Sequence, residues 1–589
     1  MSDDILLRAE RWLKHDPDPS TRAELAGILS RATDGSGEDQ AAARRELVDR
    51  FAGALEFGTA GIRGLIGAGE SFMNRAVVLR TTCGLARYLL EAGEDATRRG
   101  VVIGFDGRRM SPEFAEDTAC VLAAAGIPSH VSPLPCPTPV AAYAVTRLNA
   151  AAGVMVTASH NPPAYNGYKV YWGNGAQIIP PHDTGIAAAI AAAPEADAVP
   201  RMPLEEARSK GLVKDFASDV ERSYLDALQK LSVRKDGDRS IKIVYTPLHG
   251  VGNRLVRAAL AEAGFGKVMS VPEQAEPDGA FPTVAFPNPE EKGALDLAYA
   301  LARREGAELV IANDPDVDRL AAAVRDPAGA YVQLTGNQIG VLLGHYLLTE
   351  GGGGDRIALA SIVSSPMLGV IAKSLGVRYE ETLTGFKWIA NRAMDLERST
   401  GARFVFGFEE ALGYTVGPLV RDKDGIGAAL LFCELAAVRR AAGLSLLDEL
   451  EVLARRYGLF VSGQRNVTLP GALGLSKIAE IMTRLRAALP ARVGPLEVEA
   501  VSDLLAKTRT VKGEPPVPLE LPASNVLSFE LEGGSRIIAR PSGTEPKIKF
   551  YFDVREPMTQ GEPVVQARAR AEARMAELST AFSALAGID

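Results

Sequence analysis

The stretch Thr157-Ala158-Ser159-His160-Asn161-Pro162-Pro163, with Lys169 ten residues after its serine, is the most informative part of this sequence. The apolar, β-branched residues Val154-Met155-Val156-Thr157 predict a strand that delivers Ser159 onto the Asn-Pro-Pro turn. A hydroxyl at a strand end, beside an imidazole and within loop reach of an ammonium group, suits nucleophilic chemistry. Taken alone, the motif is equally typical of an ordinary Ser/Asn/Pro turn.

A second informative stretch is Asp314-Pro315-Asp316-Val317-Asp318-Arg319, which follows the apolar run Ala307-Glu308-Leu309-Val310-Ile311-Ala312. The run predicts a buried strand, and an extended continuation would place the three alternating carboxylates on one side. Crowded carboxylates repel one another unless a cation lies among them, and a hard ion such as Mg2+ suits oxygen ligands. An EF-hand is excluded because Arg319 and Arg325 occupy the positions that need Gly and Glu. A metal site is therefore favoured over an acidic surface turn.

The third stretch, Arg540-Pro541-Ser542-Gly543-Thr544-Glu545-Pro546, has the composition of a phosphate-binding loop. Its arginine offers a planar fork, its hydroxyls can donate, and its glycine lets backbone N–H groups approach an anion. Ile537-Ile538-Ala539 and Lys547-Ile548-Lys549-Phe550-Tyr551-Phe552 predict flanking strands. Ordinary turn chemistry explains Pro-Ser-Gly-Thr but not the arginine at the entrance of the loop. Together with the first two stretches, this loop indicates phosphoryl transfer.

These three loops, with Gly407-Phe408-Glu409-Glu410-Ala411 between the second and the third, resemble the four signature loops of the α-D-phosphohexomutase superfamily. The superfamily comprises the phosphoglucomutase/phosphomannomutase enzymes, and the resemblance covers about residues 50–555. Within it, the chain is similar to the longer phosphoglucomutase-2/phosphopentomutase-like branch. Four stretches carry that similarity: Phe57-Gly58-Thr59-Ala60-Gly61-Ile62-Arg63-Gly64, Thr246-Pro247-Leu248-His249-Gly250, Leu383-Thr384-Gly385-Phe386-Lys387-Trp388 and Gly407-Phe408-Glu409-Glu410-Ala411-Leu412-Gly413-Tyr414.

The resemblance implies roles for individual residues. Ser159 would carry a phosphoryl group in the resting enzyme, Arg63 would approach it, and His160 and Lys169 would assist proton transfer. Mg2+ would be held by Asp314, Asp316 and Asp318 together with an oxygen on Ser159. The residues that would bind the substrate are Arg319, Thr384, Gly385, Glu409, Lys423, Arg540, Ser542, Gly543 and Thr544. Glu409 would accept hydrogen bonds from sugar hydroxyls, and the Arg540 loop would hold the phosphate that is not reacting.

The activity that the resemblance implies is a phosphoglucomutase of carbohydrate metabolism, an isomerase-class enzyme that interconverts glucose 1-phosphate and glucose 6-phosphate. A phosphoserine and glucose 1,6-bisphosphate, as intermediate and activator, would carry the reaction. Many hexose enzymes of the family have a serine where this chain has Ala411, and the missing hydroxyl costs about 0.5–1.5 kcal/mol of hydrogen bonding. Ribose or deoxyribose phosphates are therefore a serious second choice. Mannose phosphates and a bisphosphate synthase activity stay open as further alternatives.

The proposed chemistry makes two physical demands on the protein. Lys169 needs a pKa lowered toward neutrality to act as a base, which burial beside other cations could provide. Water must be excluded because hydrolysis of the phosphoserine leaves a dead enzyme, and closure of the last domain would exclude it.

Two other classes of protein compete with the mutase. An aspartyl-phosphate phosphatase would use Asp314 or Asp316 as its nucleophile, but it leaves the Ser159 and Arg540 loops without a purpose. A non-catalytic sugar-phosphate sensor is disfavoured because the serine, aspartate and arginine loops are all complete.

Composition sets further bounds on function and location. The net charge of −8 argues against nonspecific nucleic-acid binding. The four cysteines, Cys83, Cys120, Cys136 and Cys433, form no close pair and no zinc spacing. The acidic start Met1-Ser2-Asp3-Asp4 is unlike a signal peptide, and no segment has the apolar length of a membrane helix. We expect a cytoplasmic protein, monomeric or weakly homo-oligomeric, with a small phosphosugar as its partner.

The chain is too long for a single core, and strands alternate with helical stretches along most of it. The fold class we expect is α/β, with the four-domain architecture of the family: three similar mixed domains and a distinct α+β C-terminal domain around a central cleft. The expected segments are a helical extension (1–50), a phosphoserine domain (51–210), a metal-loop domain (211–325), a sugar-loop domain (326–462) and a phosphate-loop domain (463–589).

Overall fold

The structure is a computed structural model that describes residues 3–59, 61–469, 472–542 and 547–588. The chain forms two compact units. The first comprises Met1–Leu334 with Gly413–Ala437, and the second comprises Thr335–Leu412 with Val438–Asp589. Among the described residues, no helix combines the length and the apolar character that crossing a lipid bilayer requires.

Three helices open the first unit, and Pro17 and Gly35 lie in the breaks between them. They are Asp3–His15, Pro19–Asp34 and Gly37–Arg50. Asp18 caps the second helix by accepting a hydrogen bond from the Ser20 N–H, and Pro19 occupies the first helical position. Leu25, Ile28 and Leu47 are buried in a small core of their own.

A six-stranded sheet carries the Ser159 stretch. Its strands are, in spatial order, Ile62–Leu65, Tyr165–Trp172, Ala152–Val156, Val101–Phe105, Ser129–Val131 and Val213–Asp215. The helices that accompany it are Arg75–Glu91, Ala96–Arg99, Ser111–Ala124, Thr138–Arg147, His182–Ala191, Leu204–Ser209 and Ala217–Leu228. The first two strands run antiparallel to their neighbours and the others are parallel. Met155 pairs with Lys169, so the strand leading to Ser159 lies beside the one that carries the lysine.

The second sheet of this unit carries the aspartate stretch. Its strands are, in spatial order, Tyr331–Gln333, Ala321–Arg325, Leu309–Ala312, Ile243–Thr246 and Val268–Ser270. Asn253–Glu262 and Asp296–Glu305 are its helices, and the strand Gly413–Val416 and the helix Gly425–Ala441 follow later in the chain. The strand Leu309–Ala312 is fully buried, as its apolar sequence predicts, and it leads directly into the aspartates.

The second unit begins with a parallel sheet. Its strands Arg378–Thr382, Arg356–Ser361 and Arg403–Glu409 lie side by side in that order. The helices around them are Gly336–Glu350, Met367–Ser374, Phe386–Thr400 and Leu446–Tyr457. Parallel strands end at one edge of a sheet, so Ser361, Thr382 and Glu409 share that edge.

The rest of the second unit is an antiparallel sheet covered by helices. Its strands are Leu459–Thr468, Lys547–Glu556, Ser535–Pro541, Leu527–Leu531, Leu496–Asp503, Thr508–Val511 and Val517–Pro518, and Arg492–Val493 pairs with Leu496–Asp503. The helices are Ala472–Ala487 and Val564–Ala586. Phe582 of the last helix makes edge contacts with Phe529, Phe550 and Phe552 of the sheet. The strands on either side of the Arg540 loop are as predicted.

Candidate active site

Ser159 lies in a strained turn immediately after the strand Ala152–Val156. Its φ of 54° is in the left-handed region, which a residue with a Cβ rarely adopts. Such a conformation costs on the order of 1–3 kcal/mol and persists only where neighbouring contacts impose it. One such contact is the Ser159 N–H, which donates to Thr157 Oγ1 at 2.8 Å. The predicted turn is therefore present, and it holds the serine in one conformation.

The Ser159 hydroxyl has two polar neighbours. Its Oγ donates to Asp314 Oδ2 at 3.0 Å and lies 3.1 Å from His160 Nδ1. The pKa of His160 lies well below its ordinary value, because desolvation and the cations Arg319 and Arg63 disfavour the imidazolium. At neutral pH a neutral imidazole therefore faces the hydroxyl together with the carboxyl group of Asp314.

Asp314, Asp316 and Asp318 converge on one point. All three residues are buried, and one carboxylate oxygen from each lies within 4.8 Å of the others. The backbone reaches this arrangement through a turn and not through the extended conformation that the alternation predicts. Val317 has a φ of 64°, and its N–H donates to Asp314 O at 2.9 Å. The three carboxylates therefore meet on a turn and not on an extended segment.

The aspartate triad keeps hydrogen-bond acceptor capacity that the described residues do not use. Burial, followed by repulsion from Asp316 and Asp318, raises the pKa of Asp314 well above its ordinary value. Oδ1 of Asp316 and Oδ1 of Asp318 are buried and have no hydrogen-bond partner among the described residues. Three converging oxygens with unused acceptor capacity are the donor set of a hard divalent cation, so the residues fit Mg2+.

Lys169 is buried against the same triad. Its Nζ donates to Asp316 Oδ2 at 2.7 Å and to Asp318 Oδ2 at 3.0 Å. Burial lowers the pKa of Lys169, but the two carboxylates outweigh that effect and the net pKa is raised. The burial that could have lowered the pKa is present, whereas the lowered pKa that a role as base requires is not.

Lys423 reaches the triad from a different part of the chain. Its Nζ lies 3.0 Å from Asp318 Oδ2 and 3.2 Å from Asp422 Oδ1. Asp422 is anchored by Tyr171 Oη, which donates to its Oδ2 at 2.7 Å. Gly425 packs against the aspartate turn so closely that a Cβ would lie 2.5 Å from Val317 O. The segment that carries Lys423 is thus fitted to the turn.

Two arginines that were predicted from the sequence to be site residues lie near the Ser159 loop and the aspartate triad. The backbone N–H of Arg319 donates to Asp314 Oδ1 at 3.0 Å, and its guanidinium Nε is 3.9 Å from Asp314 Oδ2. Arg63 is exposed on the edge strand Ile62–Leu65, and its Nη1 donates to Asn161 Oδ1 at 3.1 Å. Both cations therefore flank the Ser159 loop or the triad.

Thr138 is a neighbour of the triad that the sequence did not single out. Its Oγ1 donates to Asp316 Oδ2 at 2.7 Å, and its N–H donates to Asp316 O at 2.9 Å. It is the first residue of the helix Thr138–Arg147, next to Pro139. Prolines around a threonine indicate a helix start, but nothing local connects Thr138 to an aspartate 178 residues away.

The second unit holds the residues proposed to bind the sugar. Glu409 ends its strand, and its Oε1 accepts a hydrogen bond from the Gly385 N–H at 2.6 Å. Gly385 has a φ of 118°, which favours glycine at this position. Thr384 Oγ1 is buried without a hydrogen-bond partner among the residues described. These three residues are brought together as a group.

Arg540 lies near the end of the strand Ser535–Pro541 in the same unit. It is paired with Lys549 across the sheet, and the Ser542 N–H donates to Lys547 O at 2.7 Å. Tyr551 has Arg540 and Glu409 among its charged neighbours, and burial raises its pKa to about 12. Gly543 and Thr544, which the sequence also assigns to this loop, lie outside the described residues.

Comparison with known proteins identifies the class. The models of "Phosphoglucomutase/phosphomannomutase, alpha/beta/alpha domain" I, II and III match residues 54–197, 222–329 and 335–455. The chain belongs to this family, within the α-D-phosphohexomutase superfamily, and it is an intramolecular phosphotransferase of the isomerase class. It falls in the phosphoglucomutase-2/phosphopentomutase-like branch of that superfamily.

Individual relatives cover most of the chain. A "Probable phosphomannomutase" of Haemophilus influenzae is 44% identical over 487 residues, which are 82% of this chain and 93% of that protein. A "Probable phosphoribomutase" of Schizosaccharomyces pombe is 39% identical over 570 residues, 93% of each chain. The crystal structure of the Paramecium phosphoprotein pp63/parafusin, a phosphoglucomutase, shares the fold with a TM-score of 0.65 at 18% identity, covering 92% of this chain and 97% of that one. Three α/β/α domains and a C-terminal domain with its own sheet make up the expected fold class.

Proposed function

We propose that this protein is a phosphosugar mutase that interconverts glucose 1-phosphate and glucose 6-phosphate through a phosphorylated Ser159. The observation that carries the proposal is the Ser159 hydroxyl, held 3.0 Å from Asp314 Oδ2 at the edge of a buried three-carboxylate cluster. A simple structural turn has no need of a strained serine beside buried, mutually repelling aspartates.

Each half of the reaction moves one phosphoryl group. In the first half, the P–Oγ bond of phosphoserine breaks, a P–O bond to a sugar hydroxyl forms, and the proton of that hydroxyl passes to a base. The resulting glucose 1,6-bisphosphate returns its other phosphoryl group to Ser159 by the reverse of these events. His160, whose imidazole is neutral, suits the role of proton acceptor near Oγ. Lys169, whose pKa is raised, suits the role of proton holder and counter-charge.

Bound Mg2+, held by Asp314, Asp316, Asp318 and an oxygen on Ser159, would supply Lewis-acid stabilisation of negative charge on the transferring phosphoryl group. The protein's own cations contribute in the same direction. Arg63, Arg319 and Lys423 flank the serine or the triad, and positioned charge is the main source of catalysis when the transition state resembles metaphosphate.

Substrate recognition is assigned to groups of the second unit. Glu409 would accept hydrogen bonds from sugar hydroxyls, since a carboxylate offers several acceptor positions and the Gly385 N–H holds one of its oxygens in place. Thr384, the residue before Gly385, offers a buried hydroxyl. Arg540, Ser542, Gly543 and Thr544 would hold the phosphate that is not reacting.

A pentose phosphate is the second candidate substrate. A relative whose name specifies ribose matches 93% of this chain, and Ala411 lacks the hydroxyl of many hexose enzymes. Mannose phosphate is a third candidate substrate, because another relative is named a probable phosphomannomutase. The chemistry at Ser159 is the same for all three sugars.

The decisive experiment measures steady-state turnover of the purified protein with Mg2+ on glucose, ribose and mannose 1-phosphates. Each assay contains a trace of the matching bisphosphate, and Ser159→Ala is run beside the wild type. We expect glucose 1-phosphate to be converted fastest and the variant to be nearly inert. Faster conversion of ribose or mannose 1-phosphate would reassign the sugar and leave the mechanism intact. Full activity of Ser159→Ala would overturn the mechanism.

An assay with a labelled phosphoryl donor distinguishes the mutase from the alternative classes of protein. The proposed mutase places the label on Ser159 and in both positions of the sugar. An aspartyl-phosphate phosphatase would place it on an aspartate, and a sensor would retain none. A bisphosphate synthase would label Ser159 but release bisphosphate as its main product.

A further inference from the structure

Arg108 is a buried arginine next to the Ser159 loop that the mechanism above does not use. Its side chain is completely buried, although arginine is rarely so. Its guanidinium nitrogens donate to four backbone carbonyl oxygens of one short loop. These acceptors are Ser159 O at 2.7 Å, Asn161 O at 2.5 Å, Pro162 O at 2.9 Å and Tyr165 O at 3.1 Å. A single side chain thus binds the loop from the serine to the start of the next strand.

Asp106 connects this arginine to the other side of the serine. Asp106 Oδ2 lies 3.3 Å from Arg108 Nε and accepts a hydrogen bond from Thr157 Oγ1 at 2.6 Å. Thr157 Oγ1 in turn accepts the hydrogen bond from the Ser159 N–H at 2.8 Å. The contacts form a closed ring in which Thr157 holds the N–H of Ser159 and Arg108 holds its C=O.

The remaining contacts fix Asp106 and Arg108 themselves. Asp106 Oδ1 accepts from the Arg108 N–H at 3.0 Å and from Ser111 Oγ at 2.8 Å. The guanidinium carbon of Arg108 lies 5.0 Å from the centre of the Phe281 ring. These contacts hold the side chains of Asp106 and Arg108 in place independently of the Ser159 loop. A rigid support for a reacting group requires such contacts.

The geometry points to Asp106, Thr157 and Arg108 as a positioning device for phosphoryl transfer, a role that rests on the proposed function of Ser159. The ring fixes the backbone on both sides of the left-handed Ser159, and it thereby directs Oγ toward Asp314. None of the three residues touches Oγ, so they act through the serine. Their loss moves the nucleophile and leaves the sugar-binding residues unchanged.

The test compares Thr157→Val, which removes the central hydroxyl at constant volume, with Thr157→Ser, which keeps it. Thr157→Val is expected to lower kcat by on the order of 10- to 100-fold with KM within about twofold, because a small displacement of a reacting atom is costly. Thr157→Ser is expected to recover most of kcat. Thr118→Val is the matched control, since Thr118 is buried in the same domain and its hydroxyl donates to Phe114 O at 2.7 Å.

Arg108→Lys is the second variant, since an ammonium cannot bind four carbonyls in a fixed plane. We expect the same loss of kcat without a change of KM, and a slower transfer of labelled phosphate from sugar bisphosphate to Ser159. If Arg108→Lys does not fold, the comparison of Thr157→Val with Thr157→Ser tests the positioning role by itself. Wild-type kcat in Thr157→Val, with Ser159→Ala inert, overturns the positioning role and leaves the proposed function standing. Activity that survives in Ser159→Ala overturns the proposed function itself.

Discussion

The ammonium of Lys423 lies 3.0 Å from Asp318 Oδ2, so a cation of this chain already touches the carboxylates proposed to bind Mg2+. Lys423→Met should tighten Mg2+ binding by on the order of tenfold, because the triad loses a competing positive charge. The same change should raise KM for the sugar phosphate, since Lys423 is proposed to contact it. Calorimetric titration of Mg2+ and steady-state kinetics measure the two effects.

The exposed Lys267 supplies the control for this change. Lys267→Met alters the net charge equally and should leave both values unchanged. Equal Mg2+ affinity in Lys423→Met and the wild type would show that Lys423 does not influence the triad.

We predict that Asp314 lowers the stability of the folded protein at neutral pH when no metal is bound. Its pKa is raised in the folded protein, so its contribution to stability is complete at low pH and is lost as the pH rises through the folded pKa. Asp314→Asn should therefore raise the melting temperature at neutral pH in EDTA, while lowering kcat by at least about 100-fold. Mg2+ should stabilise the wild type by mass action and the variant much less.

Thermal unfolding with EDTA and with Mg2+ checks this prediction, and Asp49→Asn on an exposed helical position serves as the control. A melting temperature that falls in Asp314→Asn without metal would mean that the aspartate stabilises the empty triad.

Glu449 should make the stability of the second unit depend on acid pH. Its Oε2 lies 3.0 Å from Arg439 Nε, and its Oε1 lies 3.4 Å from His345 Nδ1. Burial raises the pKa of Glu449, but His345 and Arg439 outweigh it, and the net pKa is below its ordinary value of 4.5. The stabilisation is therefore complete above about pH 4.5 and is lost as the pH falls through the folded pKa.

Glu449→Gln should cost about 1–3 kcal/mol at pH 7.5, because Arg439 loses a charged partner, and the deficit should shrink toward pH 4. Denaturant unfolding at several pH values measures it. Glu451→Gln is the matched control on the same helix, since Glu451 pairs with Arg455 at the surface and should cost less than about 0.5 kcal/mol. A deficit that is independent of pH would contradict the ionic explanation.

Much of the fold follows from the sequence because local patterns report local structure. The apolar strands before Ser159 and Asp314 are of this kind. The sequence could not show that the aspartates lie in a turn, since a β-branched Val317 at positive φ is unfavourable by itself and is imposed by its surroundings. The direction of the pKa shift of Lys169 could not be predicted from the sequence either. It depends on two carboxylates 147 and 149 residues away, whose effect on the pKa outweighs that of burial.

Residues that act through other residues are the hardest to find from sequence. Arg108 follows a strand and a glycine, as many surface arginines do, and only the three-dimensional structure shows it bonded to four carbonyls of a loop 51–57 residues further on. Thr138 meets Asp316 across 178 residues. The family resemblance brings Ser159 and Asp314 together because both belong to signature loops, but it says nothing of the contacts that hold them.

Ala411 offers a direct test of sugar preference. It follows Glu409 and Glu410 at the end of the strand Arg403–Glu409, where many hexose enzymes of the superfamily have serine. Ala411→Ser adds a hydroxyl that can bond to a hexose, worth about 0.5–1.5 kcal/mol. We expect kcat/KM for glucose 1-phosphate to rise by about 2- to 12-fold relative to that for ribose 1-phosphate. Ala442→Ser, at an exposed position of the same unit, should leave the ratio unchanged. A ratio that moves toward ribose in Ala411→Ser would mean that the added hydroxyl obstructs the hexose, and that the wild-type site is shaped for the smaller sugar.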